Sequence, residues 1–145
     1  MKAVVQRCLS AQVDVEGISV GRIGPGLVIF LGVMTGDEER HTIRMATKVA
    51  ALRIFSDEHG KFNYSVSEIG GSLLVIPNFT VCGDTRKGNR PNFSSAAAPK
   101  AANELFHQFA KLLGESNIPV ETGVFGADMR IYVENDGPVS IFLEV

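Results

Sequence analysis

The segment Pro77-Asn78-Phe79-Thr80 follows directly on an apolar run at residues 73–76. Residues at a strand end can aim backbone N–H groups and a hydroxyl at a ligand, and such donors hold the oxyanion of a tetrahedral ester intermediate. A turn with a capping threonine is the plainer reading of the same residues. A second segment, Asn135-Asp136-Gly137-Pro138-Val139-Ser140, is squeezed between two strand-like runs. Proline interrupts a ladder and glycine tolerates almost any φ/ψ, so a tight hairpin turn is one expectation. The other is a rigid backbone claw for an ammonium group. An X-Pro bond costs only ~0.5–1 kcal/mol to hold cis, and a cis Gly137-Pro138 would turn two carbonyl oxygens nearly the same way. Thirdly, Arg86, Lys87 and Arg90 cluster with Gly88 and Pro91. They fit a solvated loop or a small phosphate-contacting patch, the latter suited to gripping only the end of a nucleic acid.

The familiar catalytic patterns are missing. His41, His59 and His107 are scattered, without HExxH or paired Cys/His spacing, so neither a metal site nor a cofactor is expected. There is no GxSxG elbow and no Walker sequence, and the glycines at 21, 24 and 26 do not form a dinucleotide fingerprint.

The elements that must carry these residues follow from periodicity and punctuation. The chain has 145 residues and a net charge of −2, which fits one domain over 1–145 and argues against general nucleic-acid binding. Short strands are expected at 1–6, 12–15, 52–55, 72–76, 120–122, 129–134 and 139–144, with 27–33 as a strand buried on both faces. Asp37 is expected to cap a first helix whose apolar stripe is Ile43, Ala46, Val49 and Ala50. Pro99 fits the first turn of a second helix that turns Leu105, Phe106, Phe109, Leu112 and Leu113 to the core. Residues 57–60 read as a turn and 82–98 as a long loop, a length that hints at function. The expected class is α+β: a mostly antiparallel sheet or partial barrel with two main helices. No stretch approaches the ~18 apolar residues of a membrane span. The first residues lack a signal-peptide pattern, and Cys8 and Cys82 stand alone, so a cytoplasmic protein with reduced thiols and no membrane partner is expected.

Several motifs in order resemble the D-aminoacyl-tRNA deacylase family from end to end. They are Met1-Lys-Ala-Val-Val-Gln-Arg7, Ile23-Gly-Pro-Gly-Leu27, the run at 28–33, Leu52-Arg-Ile-Phe55, Asp84-Thr-Arg-Lys-Gly-Asn-Arg-Pro91, Thr122-Gly-Val-Phe-Gly-Ala-Asp-Met129 and Asn135-Asp-Gly-Pro-Val-Ser140. The resemblance implies a homodimer acting on aminoacyl-tRNA, each active site being built from both chains. Gly137-Pro138, in the cis form, would reach into the partner's pocket and read the chirality of the aminoacyl group. Phe79 and Thr80 would line that pocket and present the oxyanion-binding amide. Arg7 would help to fix the Gly-Pro carbonyls, and Phe125, Gly126, Ala127 and Met129 would form nearby wall. Where the family usually has Ser-Gln-Phe-Thr, this chain has Pro77-Asn78-Phe79-Thr80: Asn78 keeps an amide on a shorter stem, and Pro77 removes a backbone donor. Ser140 stands where Thr is usual.

The implied reaction cleaves an activated ester, so positioning and oxyanion stabilisation suffice without a strong protein base. The family is thought to use the substrate's own 2′-hydroxyl; Thr80 as nucleophile would need a neighbouring base that the sequence does not show. Chirality would be enforced by excluding the Cβ of an L-residue, which leaves glycine accepted. Two other readings stay open from the Pro77-Asn78 change: an editing hydrolase with relaxed chiral selectivity, and an inactive dimer that binds RNA ends.

Overall fold

A computed structural model describes residues 1–145. The first element, β1 (Lys2–Val15), is one 14-residue strand where the sequence suggested two short ones. Its register explains the length. Residues 2–8 pair with β3 (Gly26–Gly32), residues 11–15 pair with β2 (Ile18–Ile23), and the opposite edge runs almost its full length along β8 (Arg130–Glu144). Irregularities in the β8 pairing between Gln6 and Ser10 bend the strand there. The outer half of β1 therefore folds over the sheet as a partial barrel.

β3 then pairs in parallel with β6 (Ser72–Pro77), and β6 in parallel with β7 (Val120–Thr122). The sheet is mixed: four long strands are antiparallel, and two parallel joints lie where the helices cross over. β3 is buried on both sides, as its unbroken apolar run requires. On one side lies the main core, where Met45, Val49, Phe106, Phe109 and Leu113 of the helices meet Val5, Leu27, Ile29 and Leu73. On the other is a smaller core of Cys8, Ala11, Val13, Ile23, Val28, Leu74 and Ile76, enclosed by the bent strands.

Helix α1 (Glu39–Ala50) begins one residue later than expected. Glu38 is its N-cap, and the Glu38 amide donates to His41 Nδ1 at 2.9 Å. Asp37 is occupied elsewhere: its carboxylate accepts from the Met1 ammonium at 2.7 Å and from Met34 N at 2.6 Å, almost wholly out of solvent. The buried face of α1 is Thr42, Met45, Ala46 and Val49, so Ile43 points outward, a phase error of one residue. Helix α2 (Pro99–Gly114) starts with Pro99 in the first turn, as expected, and buries Ala102, Phe106, Phe109 and Leu113. The strand foreseen at 52–55 shrinks to β4 (Phe55–Ser56), which pairs with β5 (Phe62–Tyr64) in a separate two-stranded ribbon. The turn at 57–60 is present, Asp57 accepting from His59 N and Lys61 N. No helix is long and apolar enough to cross a membrane.

Candidate functional site

β6 ends at Pro77, and the chain turns at once into a short 3-10 segment, Phe79–Cys82. Pro77 is tolerated because it closes the strand: Asn78 N takes up the ladder by donating to Leu31 O at 2.8 Å. Asn78 then caps the turn, its Oδ1 accepting from Thr80 N at 3.1 Å and from Thr80 Oγ1 at 2.5 Å. The N–H of Phe79, first residue of the turn, has no acceptor within it. Gly32 lets the turn sit this close, since a Cβ there would stand 2.7 Å from Cys82 Sγ.

Two hollows flank the turn. One is an apolar cavity of 370 Å³ between Leu31, Val33, Ala96, Ala97, Pro99, Ala102, Phe106, Phe125 and Gly126, with Pro77, Asn78 and Phe79 along its rim. The other, of 600 Å³, is a more open groove between Phe30, Ile76, Pro77, Asn78, Phe79, Gly126, Ala127, Asp128, Met129 and Ile131. Of the expected wall residues, Phe125 thus faces the cavity and Met129 the groove. Phe79 and Asn78 serve both, while the Thr80 side chain turns to Asn78. Asp128 is the one ionisable residue lining either hollow. No three His, Cys, Asp or Glu side chains converge anywhere in a metal-binding cluster.

Phe79 is 61% exposed, yet its ring is not loose: it meets Phe93 edge to face, centroids 5.2 Å apart. Phe93 belongs to the 82–98 loop, which is a loop as expected, closed on itself by an Asp84–Asn92 bridge and pinned just beyond the end of β3 through Ala97 N to Val33 O at 2.9 Å. The loop tip carries Arg86, Lys87 and Arg90, all exposed. Arg86 is tied to Asp84 at 2.7 Å, an ion pair that holds the Asp84 carboxyl well below its usual range, so Lys87 and Arg90 are the freer cations. The sequence did not assign Phe93 or the Ala96-Ala97 wall to the site, and it gave Phe106 only as a core residue of the second helix, which it also is. An aromatic five residues past a Lys-Gly turn was the available signal for Phe93.

Gly137-Pro138 is not a hairpin turn. It lies inside the continuous strand β8, and its peptide bond is cis. Gly137 has φ 136°, a conformation that needs glycine, and a Cβ there would stand 2.7 Å from Val139 N. Arg7, although charged, is only 8% exposed. Its Nε donates to Asp136 O at 3.2 Å and pairs with the Asp136 carboxylate at 2.9 Å, immediately ahead of Gly137. Within one chain, however, Arg7, Gly137 and Pro138 line neither hollow beside Phe79. The expected site residues fall into two groups: 78–80 with 125–129, and 7 with 136–138.

The sequence matches the D-Tyr-tRNA(Tyr) deacylase family over residues 4–144. It is 51% identical to a D-aminoacyl-tRNA deacylase of Paracoccus denitrificans across 99% of this chain and 97% of that protein. It is 50% identical to one of Carboxydothermus hydrogenoformans across the full length of both. Among solved structures, a c-Myc DNA unwinding element binding protein superposes with TM-score 0.95 at 36% identity, covering 100% of this chain and 99% of that one. The fold is shared with a probable eukaryotic D-amino acid tRNA deacylase, TM-score 0.81 at 16% identity, covering 99% and 98% of the two chains. The chain belongs to the D-aminoacyl-tRNA deacylase family.

Proposed function

We propose that the protein hydrolyses the ester linking a D-amino acid, or glycine, to the terminal ribose of tRNA, working as a homodimer. The observation that carries this reading is the Phe79 turn: a backbone donor held rigidly at a strand end between an apolar cavity and an open groove, with no histidine or lysine beside it. Such a site is suited to stabilising an oxyanion, and the one carboxylate in the groove, Asp128, has no histidine or lysine to work with. That suits a labile ester whose vicinal 2′-hydroxyl assists its own cleavage. The apolar cavity, walled by Phe106 and Phe125, has the size and lining for a flat heteroaromatic base such as the terminal adenine. Lys87 and Arg90 would meet phosphates farther from the end.

Assembly of two copies supplies what one chain lacks. Phe142, Val4, Phe30 and Ile76 are cross-strand partners in β8, β1, β3 and β6, and form an apolar row across the sheet. Phe142 is 55% exposed, and the row is flanked by the Gln6–Ser140 hydrogen bond and the Lys2–Glu144 ion pair, an apolar centre with a polar rim. The row runs into the groove beside Phe79. Pro138, Ser140 and Phe142 are exposed at two-residue spacing along β8. A second copy seated on the row would therefore bring its own Gly137-Pro138 toward this Phe79. The backbone carbonyls there would hold the substrate ammonium, and the same wall would meet the Cβ of an L-residue.

The test is hydrolysis of D-tyrosyl-, L-tyrosyl- and glycyl-tRNA by metal-free protein, with the mass in solution measured by sedimentation. Hydrolysis of the D- and glycyl-esters by a dimer is expected. Comparable cleavage of the L-ester would favour a relaxed editing hydrolase, and no cleavage of any ester would leave only an RNA-end-binding dimer.

A further inference from the structure

The β4–β5 ribbon stands outside the main sheet, and its strands are two and three residues long. A ribbon this short is marginal by itself, so its position depends on what it docks against. Arg53 clamps it from within, donating from Nε to Asn63 O at 2.6 Å and from Nη2 to the Asn63 side chain. Its outward contact is Arg7. Arg7 Nη1 donates to Ile54 O at 2.6 Å, just before β4, and the guanidinium carbon lies 5.3 Å from the centroid of the Phe62 ring in β5. Phe62 is 53% exposed, so it belongs to no core cluster and its one directed contact is with a buried cation.

The guanidinium is thus held from two sides. Asp136 grips it from β8, while the Ile54 carbonyl and the Phe62 face grip it from the ribbon. A planar group with a rigid fork of donors transmits orientation, because rotating it breaks bonds on both sides together. Its Nη2 also stands 3.5 Å from where a Cβ on Gly137 would be.

We infer that Phe62 is a positioning residue for substrate selection: it fixes the plane of Arg7, and through Arg7 the Asp136 carbonyl and the Gly137-Pro138 backbone that follows. The inference rests on the function proposed above, in which that backbone reads the α-carbon of the substrate. Loss of the ring leaves Arg7 its backbone acceptors but opens a space into which the guanidinium can swing. The consequence is a broader set of Gly137-Pro138 orientations and a weaker penalty on the wrong hand.

The experiment compares wild type, Phe62→Leu and Phe62→Tyr in two ways. In the first, kcat/KM is measured on D- and L-tyrosyl-tRNA. Phe62→Leu is expected to lower the D-over-L ratio by roughly 3- to 30-fold, the range of a cation–π contact from exposed to desolvated, and Phe62→Tyr to restore it. In the second, the Arg7 Nε–Hε resonance is followed by NMR; it is expected to move in Phe62→Leu and to stay in Phe62→Tyr. An unmoved resonance, or a D-over-L ratio unchanged in Phe62→Leu, overturns the inference. Equal losses in the Leu and Tyr variants do so too. Wild type that cleaves neither ester overturns the proposed function instead, and the resonance then still decides whether the ring orients Arg7.

Discussion

Asn78 Oδ1 accepts two hydrogen bonds from one residue, Thr80, through its amide at 3.1 Å and its hydroxyl at 2.5 Å. A carboxamide oxygen is too weak a base to take the hydroxyl proton, so this contact orders the turn and does not activate a nucleophile. Thr80→Ala is therefore expected to cost no more than about tenfold in kcat, the hydrogen bond from the backbone N–H at 80 to Asn78 Oδ1 surviving. A substrate ending in 2′-deoxyadenosine is expected to lose several orders of magnitude. Single-turnover rates for the two changes distinguish the mechanisms, and the reverse pattern would establish Thr80 as the nucleophile.

Phe93 ties the basic loop to the Phe79 turn. Its ring packs edge to face on Phe79 and covers Gly83, where an added Cβ would stand 2.8 Å from the Phe93 ring. An aromatic pair of this kind contributes about 0.5–1.5 kcal/mol beyond its buried area. Phe93→Ala is expected to lower kcat several-fold with a smaller effect on KM for tRNA, because the Phe79 amide loses its fixed direction. Lys87→Ala and Arg90→Ala should do the opposite, raising KM and flattening its salt dependence, if each side chain meets one phosphate as proposed. Steady-state kinetics at two ionic strengths separates these outcomes.

How far the sequence carries depends on whether a feature is local. The run at 27–33 and the Pro99 helix start are set by neighbours in sequence, and they were legible. The single long β1 and β8 were not. Each carries a mid-strand irregularity that reads as a break, and only their mutual pairing holds them continuous. The same applies to the helix cap. Asp37 is the better capping residue by type, but the Met1 ammonium, 36 positions earlier, claims its carboxylate. At the site, Asn78, Phe79 and Thr80 stood out because they follow a strand. Phe93, Phe62 and the Ile54 carbonyl did not, because their partners lie 14, 55 and 47 positions away in numbering.

Cys8 is buried at 1% exposure, and burial is the main cause that pushes its thiol from the ordinary 9.0 up to about 11. The folded state therefore holds this proton more tightly than the unfolded chain does. The stability linked to it is fully present below pH 9 and is lost as pH rises toward 11. Cys8→Ala is expected to flatten the alkaline fall in Tm across that window while leaving hydrolysis at neutral pH intact. In wild type, both buried thiols should resist alkylation at pH 8 until denaturant is added. Rapid labelling of folded protein would show that the interior opens more readily than its packing indicates.

Glycine gives the sharpest consequence of selection by exclusion. If carbonyl groups at Gly137-Pro138 fix the ammonium and the Phe79 amide fixes the ester oxygen, two of the four substituents of the α-carbon are placed. The handedness of the remaining two then decides whether a side chain points into open groove or into backbone. A clash of that kind discriminates strongly against a misplaced methyl, whereas a pocket that merely failed to contact it would give only about 10- to 200-fold. Glycine presents hydrogen in both directions and meets no clash, so nothing in the arrangement rejects it. Glycyl-tRNA is accordingly expected to be cleaved at protein concentrations within about two orders of magnitude of those that clear D-tyrosyl-tRNA, while L-alanyl-tRNA, one methyl larger, is spared. Glycyl-tRNA left intact at levels that empty the D-tyrosyl pool would mean that selection depends on gripping a side chain, and the exclusion wall would have to be given up.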